Sequence, residues 1–454
     1  MSGCAPAGTG RRSGSGAGRP TGDGRDGAAP RRPHEDAPAV TGRDDVLIVG
    51  GGVIGLASGL ALLGAGRQVR VLEAGTAGCG SSHGNCGTIT PSHAAPLAAP
   101  GTVARALRWM LSPDAPLRVS PRVDPALWYW MAGFARRCNR RDWLRGMQAR
   151  AALLQASRAA FPEWLSAHGI ECEFLPSGVD HVYRDPAQFA AFADEATHLR
   201  ALGIPVEMID GDIYLRGEPA LREGVVGAVR FDGDARLRPD RYVAGLARAF
   251  QAAGGTLVEG CEVLAAGEVR DGVHVTTSRG AFAGRDLLLA TGAWSPRLAR
   301  ALRLRVPVQP GKGYSITYSR PARVPQRPMV LHERSVCVTA WDSGFRLGST
   351  MEFSGYDRSL NRVRLDALVR GARDYLHVPE GPVREEEWYG WRPMSVDDVP
   401  ILGAVPGARH LWLATGHGML GVSMSVATGH LMTDLICGRA PRLDPAPYAP
   451  DRFA

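Results

Sequence analysis

Residues 44–75 constrain what this 454-residue chain can fold into more than any other stretch. They read DDVLIVGGGVIGLASGLALLGAGRQVRVLEAG. The apolar run 46–49 has the length of a buried strand. The run 53–63 has the length of a helix, and Gly64 and Gly66 end it. A second apolar strand, 69–72, closes on Glu73. Between the first strand and the helix stands Gly50-Gly51-Gly52-Val53-Ile54-Gly55, which supplies G-x-G-x-x-G. The whole predicts one βαβ unit with a separate reason for each glycine. Gly50 permits the tight turn, Gly52 lets the backbone approach a pyrophosphate, and Gly55 lets the helix pack on the sheet. The diphosphate of a dinucleotide belongs at the helix N-terminus, against unpaired N–H groups and the positive end of the helix dipole. Glu73 stands 18 residues after Gly55, where an acid accepts hydrogen bonds from a ribose. An acid there favours the unphosphorylated ribose of FAD or NAD over that of NADP. Gly50, Gly52, Val53, Ile54, Gly55, Glu73 and Ala74 are the first candidate cofactor contacts. The motif alone does not separate FAD from NAD.

Composition narrows the class. Hydrophobic content of 44% and charged content of 22% are globular values, and the length suffices for two domains. No apolar run reaches membrane-spanning length without glycine or charge interrupting it. The eight cysteines form no C-x-x-C pair, which argues against a zinc site or a disulfide framework and suits a reducing cytoplasm. No metal site is expected. Net charge is +8; residues 1–42 hold six Arg and four acids, so the remaining 412 residues carry 8 − 2 = +6, no case for nucleic acid. Residues 1–42 are rich in Gly, Ala, Pro, Ser and Arg without periodicity, and are expected to be disordered. No hydrophobic segment follows Arg11-Arg12, so a twin-arginine signal is not expected.

Further along, helical spacing marks 103–111, 126–137, 144–168, 186–202, 239–253 and 365–377, and strands are expected at 256–259, 287–290 and within 329–353. Trp128, Tyr129, Trp130, Trp143 and Trp164 interleave with Arg105, Arg136, Arg137, Arg140 and Arg150. Aromatic core beneath a solvated basic face is the first reading. An amphipathic surface resting on anionic lipid is the second.

The segment 78–101 reads GCGSSHGNCGTITPSHAAPLAAPG. Its Ser82, Asn85, Gly87, Ile89, Pro91 and Ser92, with Ala95-Pro96 and Ala98-Ala99-Pro100-Gly101, resemble the corresponding stretch of the bacterial D-amino-acid dehydrogenases of small-subunit type. Those enzymes belong to the D-amino-acid oxidase/glycine oxidase superfamily of flavoproteins. The resemblance continues through Thr291-Gly292-Ala293-Trp294, a K-G-Y segment at Lys312-Gly313-Tyr314, Gly390-Trp391-Arg392-Pro393-Met394, and Gly416-His417-Gly418-Met419-Leu420-Gly421. Matching segments span about 44–440. The resemblance implies FAD rather than NAD, with Ser82, Asn85, Gly87 and Thr88 beside the pyrophosphate and isoalloxazine, and Val263 against the adenine. It places Thr291 and Gly292, and Gly416, Gly418, Met419, Leu420 and Gly421, close to the cofactor as well. His83 falls one place short of the histidine that links flavin covalently in some relatives, so non-covalent FAD is expected.

The implied fold is α/β: a Rossmann-like FAD-binding domain with an interleaved α+β substrate domain on a mixed or antiparallel sheet. The expected segments are 43–118, 227–306 and 389–440 for the FAD domain, 119–226 and 307–388 for the substrate domain, and 441–454 as a tail. The implied reaction is oxidative deamination of a D-amino acid by hydride transfer from Cα to flavin N5, giving an imino acid, then 2-oxo acid and ammonia. Electrons would pass to a quinone, respiratory or dye acceptor, with peripheral contact at the inner face of the cell membrane.

In relatives the arginine of the G-x-R-P turn binds the substrate carboxylate, and a guanidinium fork matches a carboxylate in two parallel hydrogen bonds. Arg392 therefore carries that expectation, with Tyr314 adding a hydroxyl and His417 a proton-transfer or wall role. Lys312 is the single lysine among 53 basic residues, which suggests a position where Arg fails. It is expected to place its charge near the substrate carboxylate or the flavin. Met419 stands where glycine-oxidase-like relatives carry arginine, which speaks against glycine or sarcosine. A cyclic amine, D-proline or hydroxy-D-proline, is the alternative substrate, and Ala427-Thr428-Gly429 leans that way. A flavin-binding electron-transfer subunit without its own substrate is the alternative of a different class.

Overall fold

The computed structural model of the protein describes residues 43–109, 117–302 and 304–453. The expectation of disorder in 1–42 lies outside the described residues. Strand β1 (Arg43–Val49), helix α1 (Val53–Gly64) and strand β2 (Val69–Leu72) form the βαβ unit read from the sequence. β1 pairs in parallel with β2 and with the Gly280–Leu289 strand. Thr256–Val258 continues the parallel array beyond β2, and Leu411–Thr415 continues it beyond Gly280–Leu289. Antiparallel Gly272–Thr277, Val263–Val269 and Ile401–Ala404 complete eight strands.

A parallel sheet covered on both faces needs apolar residues at successive positions, because alternate side chains enter opposite cores. Val46 and Ile48 enter the core beneath α1, with Leu56, Leu246 and Val426; Leu47 and Val49 enter the other, with Leu287, Leu289 and Val308. Helix Gly421–Ile436 packs on α1 at Gly429, where a Cβ would lie 2.8 Å from Ala57 O.

The second sheet has nine strands. At one end Val308–Tyr318 lies between Arg384–Ser395 and Gly344–Phe353, antiparallel to both. Val336–Trp341, Met329–Leu331, Val179–Tyr183, Gly227–Phe231 and Glu207–Asp210 follow in that order, and Leu117–Val119 adds to Gly344–Phe353. Helix Arg362–Tyr375 buries Leu365, Leu368 and Ala372 against this sheet. Leu117–Val119, Gly227–Phe231 and the end of Arg384–Ser395 all belong to the nine-stranded sheet. Short apolar runs show that a strand forms but not which sheet accepts it.

Local signals set the helix ends. Asp124, Asn139 and Asp185 cap the helices Pro125–Arg137, Arg140–Ala167 and Pro186–Ala201 with side-chain oxygens. The aromatic–basic region divides. Trp130, Trp143 and Trp164 are buried, whereas Trp128 and Tyr129 are 53% and 72% exposed. Arg150, read as part of a solvated face, is buried and paired with Asp398. Helical periodicity could not distinguish an arginine with a buried partner from one in water. Among the described residues no helix is long and apolar enough to cross a membrane.

Candidate active site

A cavity of 2070 Å³ runs between the two sheets. That is about twice the upper end for a drug-sized ligand, enough for a dinucleotide and a substrate together. Gly50, Gly52, Val53, Ile54, Glu73 and Ala74 line one end. Gly50 has φ +111°, and a Cβ there would lie 2.5 Å from Ala290 O, so the turn demands glycine. A Cβ on Gly55 would overlap Gly50 O; Gly55 serves the turn and does not line the cavity. Gly52 differs from both. Nothing but Ser82 Oγ, at 3.9 Å, lies within 4 Å of a Cβ there. The chain itself leaves that space open at the N-terminus of α1. Glu73 accepts from the amides of Gly51 and Gly75 at 2.7 and 2.9 Å, which fixes its carboxylate at the cavity edge. Val263 lines the same region.

The segment after β2 forms the next wall. Ser82 Oγ accepts from Val53 N at 3.3 Å, and Asn85 reaches Met419 O through Nδ2 at 3.3 Å. Asn85 Oδ1 accepts from Gly87 N, and Thr88 O from Ser423 Oγ. The segment is thereby tied to the start of Gly421–Ile436. Gly418, Met419, Leu420 and Gly421 line the cavity at that second helix N-terminus. Thr291 and Gly292 line it too: Thr291 Oγ1 lies 3.1 Å from Ser295 Oγ, and Gly292 O accepts from Thr415 Oγ1 at 3.1 Å. Gly87 and Gly416 stand behind the wall, each with positive φ. His83 also stands behind it, with Nε2 2.8 Å from Glu386.

The other end is built on the nine-stranded sheet. Arg392 lines the cavity, and burial lowers its guanidinium from the ordinary arginine range. Nη1 donates to Thr350 O, and Nη2 to Ser349 O at 3.4 Å. Those carbonyls face it because a bulge opposite Lys312–Tyr314 places Ser349 and Thr350 at φ +124° and +57°. Among the described residues no carboxylate pairs with Arg392. Its guanidinium lies over Gly313, where a Cβ would overlap it. A Cβ on Gly311 would meet Met351 Sδ at 2.5 Å. The glycines flanking Lys312 therefore make room for Arg392 and Met351.

Lys312 itself does not line the cavity. It is fully buried, donates to Ser359 O and to Asp357 at 3.3 Å, and lies 4.6 Å from the centre of the Tyr389 ring. Its ammonium thus anchors the 357–359 turn. Tyr314 lines the cavity, but its hydroxyl donates to Glu352 at 3.0 Å. His417 lines it with Nε2 3.1 Å from Thr428 Oγ1, and burial lowers its pKa to about 3, so it is neutral at pH 7. Trp294, Tyr389 and Trp391 complete the wall, with Trp391 5.3 Å from each of the other two rings. Trp391 Nε1 is buried without a hydrogen-bond partner among the described residues. Both tryptophans stood inside quoted motifs, but the sequence reading named neither as a site residue. The strain at Ser349 and Thr350 was not legible, since neither is glycine.

A parallel sheet with its glycine turn under one end of the cavity, roofed by a second sheet, defines a dinucleotide-binding protein with a covered reaction chamber. The profile of the family described as DAO, FAD dependent oxidoreductase, matches residues 45–435, and the chain belongs to that family. It is 34% identical to a D-amino acid dehydrogenase of Rhizorhabdus wittichii over 90% of this chain and all of that one. It is 32% identical to another from Cereibacter sphaeroides over 90% and 95% of the two chains. Glycine oxidase from Geobacillus kaustophilus superposes with TM-score 0.74 at 25% identity, over 90% of this chain and 98% of that one. L-proline dehydrogenase from P. horikoshii shares the fold, with TM-score 0.68 at 17% identity over 90% and 98%. FAD is therefore the cofactor, and the open space at Gly52, the two helix N-termini and the cavity volume all fit it.

Proposed function

We propose that this protein oxidises a D-amino acid to its imino acid, which water hydrolyses to the 2-oxo acid and ammonia. The observation that carries this reading is Arg392, a half-buried guanidinium in the cavity wall without an acidic partner among the described residues. A partly desolvated guanidinium whose only oxygen partners among the described residues are backbone carbonyls is completed by an anionic ligand. An α-carboxylate offers the matching pair of acceptors. The names of the relatives supply the D-amino acid class. FAD supplies the two-electron chemistry when bound. The chain's part is orientation: Arg392 holds the carboxylate, while Trp294, Tyr389 and Trp391 enclose the substrate. His417 stays neutral and shapes the wall. His83 is engaged by Glu386 behind the wall, which supports non-covalent FAD.

Anaerobic addition of D-amino acids, glycine, sarcosine, D-proline and hydroxy-D-prolines tests the reading. Bleaching of the yellow flavin by a linear D-amino acid is expected. Bleaching by the cyclic amines alone would move the substrate class, and no bleaching by any of them would leave an electron-transfer subunit. Arg392→Lys keeps the charge but loses the fork. KM for the carboxylate substrate should rise roughly tenfold with flavin retained. Unchanged kinetics would remove Arg392 from the clamp role.

Delivery of electrons to a membrane acceptor is part of the proposal. Val123, Trp128 and Tyr129 are 86%, 53% and 72% exposed at the start of a helix that ends in Arg136-Arg137, a surface suited to anionic lipid. Flotation with anionic vesicles, weakened by Trp128→Ser, is the expected result; equal recovery with neutral vesicles would count against it.

A further inference from the structure

Cys86 and Cys337 come from the two halves of the molecule and meet at the cavity wall. Cys86 lies in the cofactor-contacting segment, between Asn85 and Gly87. Cys337 lies on the Val336–Trp341 strand of the nine-stranded sheet. Gly348 stands directly opposite Cys337 in the neighbouring strand, so a side chain there would share its face. Cys86 Sγ takes that vacant place: a Cβ on Gly348 would lie 2.6 Å from it. The place Cys86 Sγ fills lies beside Cys337, and both residues line the cavity.

The pair is asymmetric. The neighbouring Cys337 lowers the Cys86 thiol pKa against the effect of burial, and the Arg392 and Arg346 charges lower it further. Cys337 is buried where Cys86 is half-buried, and its neighbour and burial raise the Cys337 thiol. A thiolate-prone sulfur beside a protonated partner is the arrangement of an attacking and a resolving cysteine. Cys172 shows the contrast: burial pushes it up to about 12.

We propose that Cys86 and Cys337 form an oxidation-sensitive dithiol that a hydroperoxide converts into a disulfide, joining the cofactor-contacting segment to the substrate sheet. Cys86 sulfur attacks the terminal peroxide oxygen, the O–O bond breaks, and the alcohol or water leaves with the thiol proton. Cys337 sulfur then attacks Cys86 sulfur, the S–O bond breaks, and hydroxide leaves as water with the Cys337 proton. Two thiols lose two electrons and the peroxide gains them. The bond pulls Cys86 towards the strand that lines the Arg392 end and shifts the segment carrying Asn85.

The test uses the purified FAD-loaded enzyme and hydrogen peroxide. The expected product is lighter by about 2 Da, with a single cross-link between the Cys86 and Cys337 peptides that dithiothreitol removes. Turnover should fall roughly tenfold to a hundredfold and return on reduction. Cys86→Ser and Cys337→Ser should each abolish the cross-link and the reversible loss. A map showing Cys86 taken to sulfinic acid alone, a cross-link to another cysteine, or no thiol consumed would overturn the proposal. The peptide map of the unaltered enzyme decides this whatever the variants do, and without reference to substrate.

Discussion

Gly52 and Gly50 stand two residues apart and are glycine for different reasons. At Gly50 the backbone forbids a side chain by conformation and by contact with Ala290 O. At Gly52 the chain forbids nothing, since φ is −79° and a Cβ has room. We propose that the cofactor's pyrophosphate takes that volume. Gly52→Val should therefore fold with a normal circular dichroism spectrum but purify colourless. A yellow variant with the usual flavin content would refute the placement of the diphosphate. Gly50→Val should instead lower the yield of folded protein. Arg392 follows a similar logic at the other end of the cavity. Gly313 has no side chain because the guanidinium occupies its place, and Ser349 and Thr350 accept backbone strain to aim their carbonyls at it.

Two elements transmit these local arrangements. Helix α1 and helix Gly421–Ile436 present their N-termini to the same cavity and touch at Gly429. Replacing a mid-helix glycine by alanine ordinarily stabilises a helix by up to about 1 kcal/mol. Gly429→Ala should do the reverse, by roughly 1–3 kcal/mol, because the new methyl meets Ala57 O and the helices must separate. Thermal melting would check the sign, and flavin affinity should weaken with it. The second element is the turn held by Lys312. Arginine is bulkier than the enclosed ammonium among Asp357, Ser359 and the Tyr389 ring. Lys312→Arg should cost roughly 1–3 kcal/mol through overpacking. A variant with an unaltered melting temperature and a slowed flavin reduction would restore the charge to the site.

Stability of the whole molecule depends on pH through groups the cavity buries. His417 has its pKa lowered from 6.5 to about 3 by burial. The unfolded chain therefore binds a proton that the folded chain refuses between those values. Its contribution to stability is full above pH 6.5 and is lost as pH falls towards 3, with a slope of about 1.4 kcal/mol per pH unit. His417→Gln keeps a hydrogen-bonding group for Thr428 without that proton. Its denaturation midpoint should fall less than the wild type's between pH 6.5 and 4.5. Parallel decline of the two proteins would show that His417 is not buried neutral.

The βαβ unit was legible in the sequence because its constraints are local. Strand length, glycine spacing and the acid after β2 lie within 32 consecutive residues, and the strand–helix–strand order they predict is the one observed. Arg392 was legible as a candidate through Gly390 and Pro393, since a turn motif travels with its neighbours. What depends on pairing between distant strands was not. The periodicity of Gly227–Phe231 could not tell which sheet would take it. The rarity of Lys312 marked an unusual position, but only the fold turned its ammonium onto the 357–359 turn and gave the flanking glycines to Arg392 and Met351. Cys86 and Cys337, 251 residues apart in the sequence, became neighbours because Gly348 left a gap between them. Sequence fixes what each residue can do by its own covalent structure and near neighbours; which residues share a cavity is decided by hydrogen-bond register and packing across the whole chain.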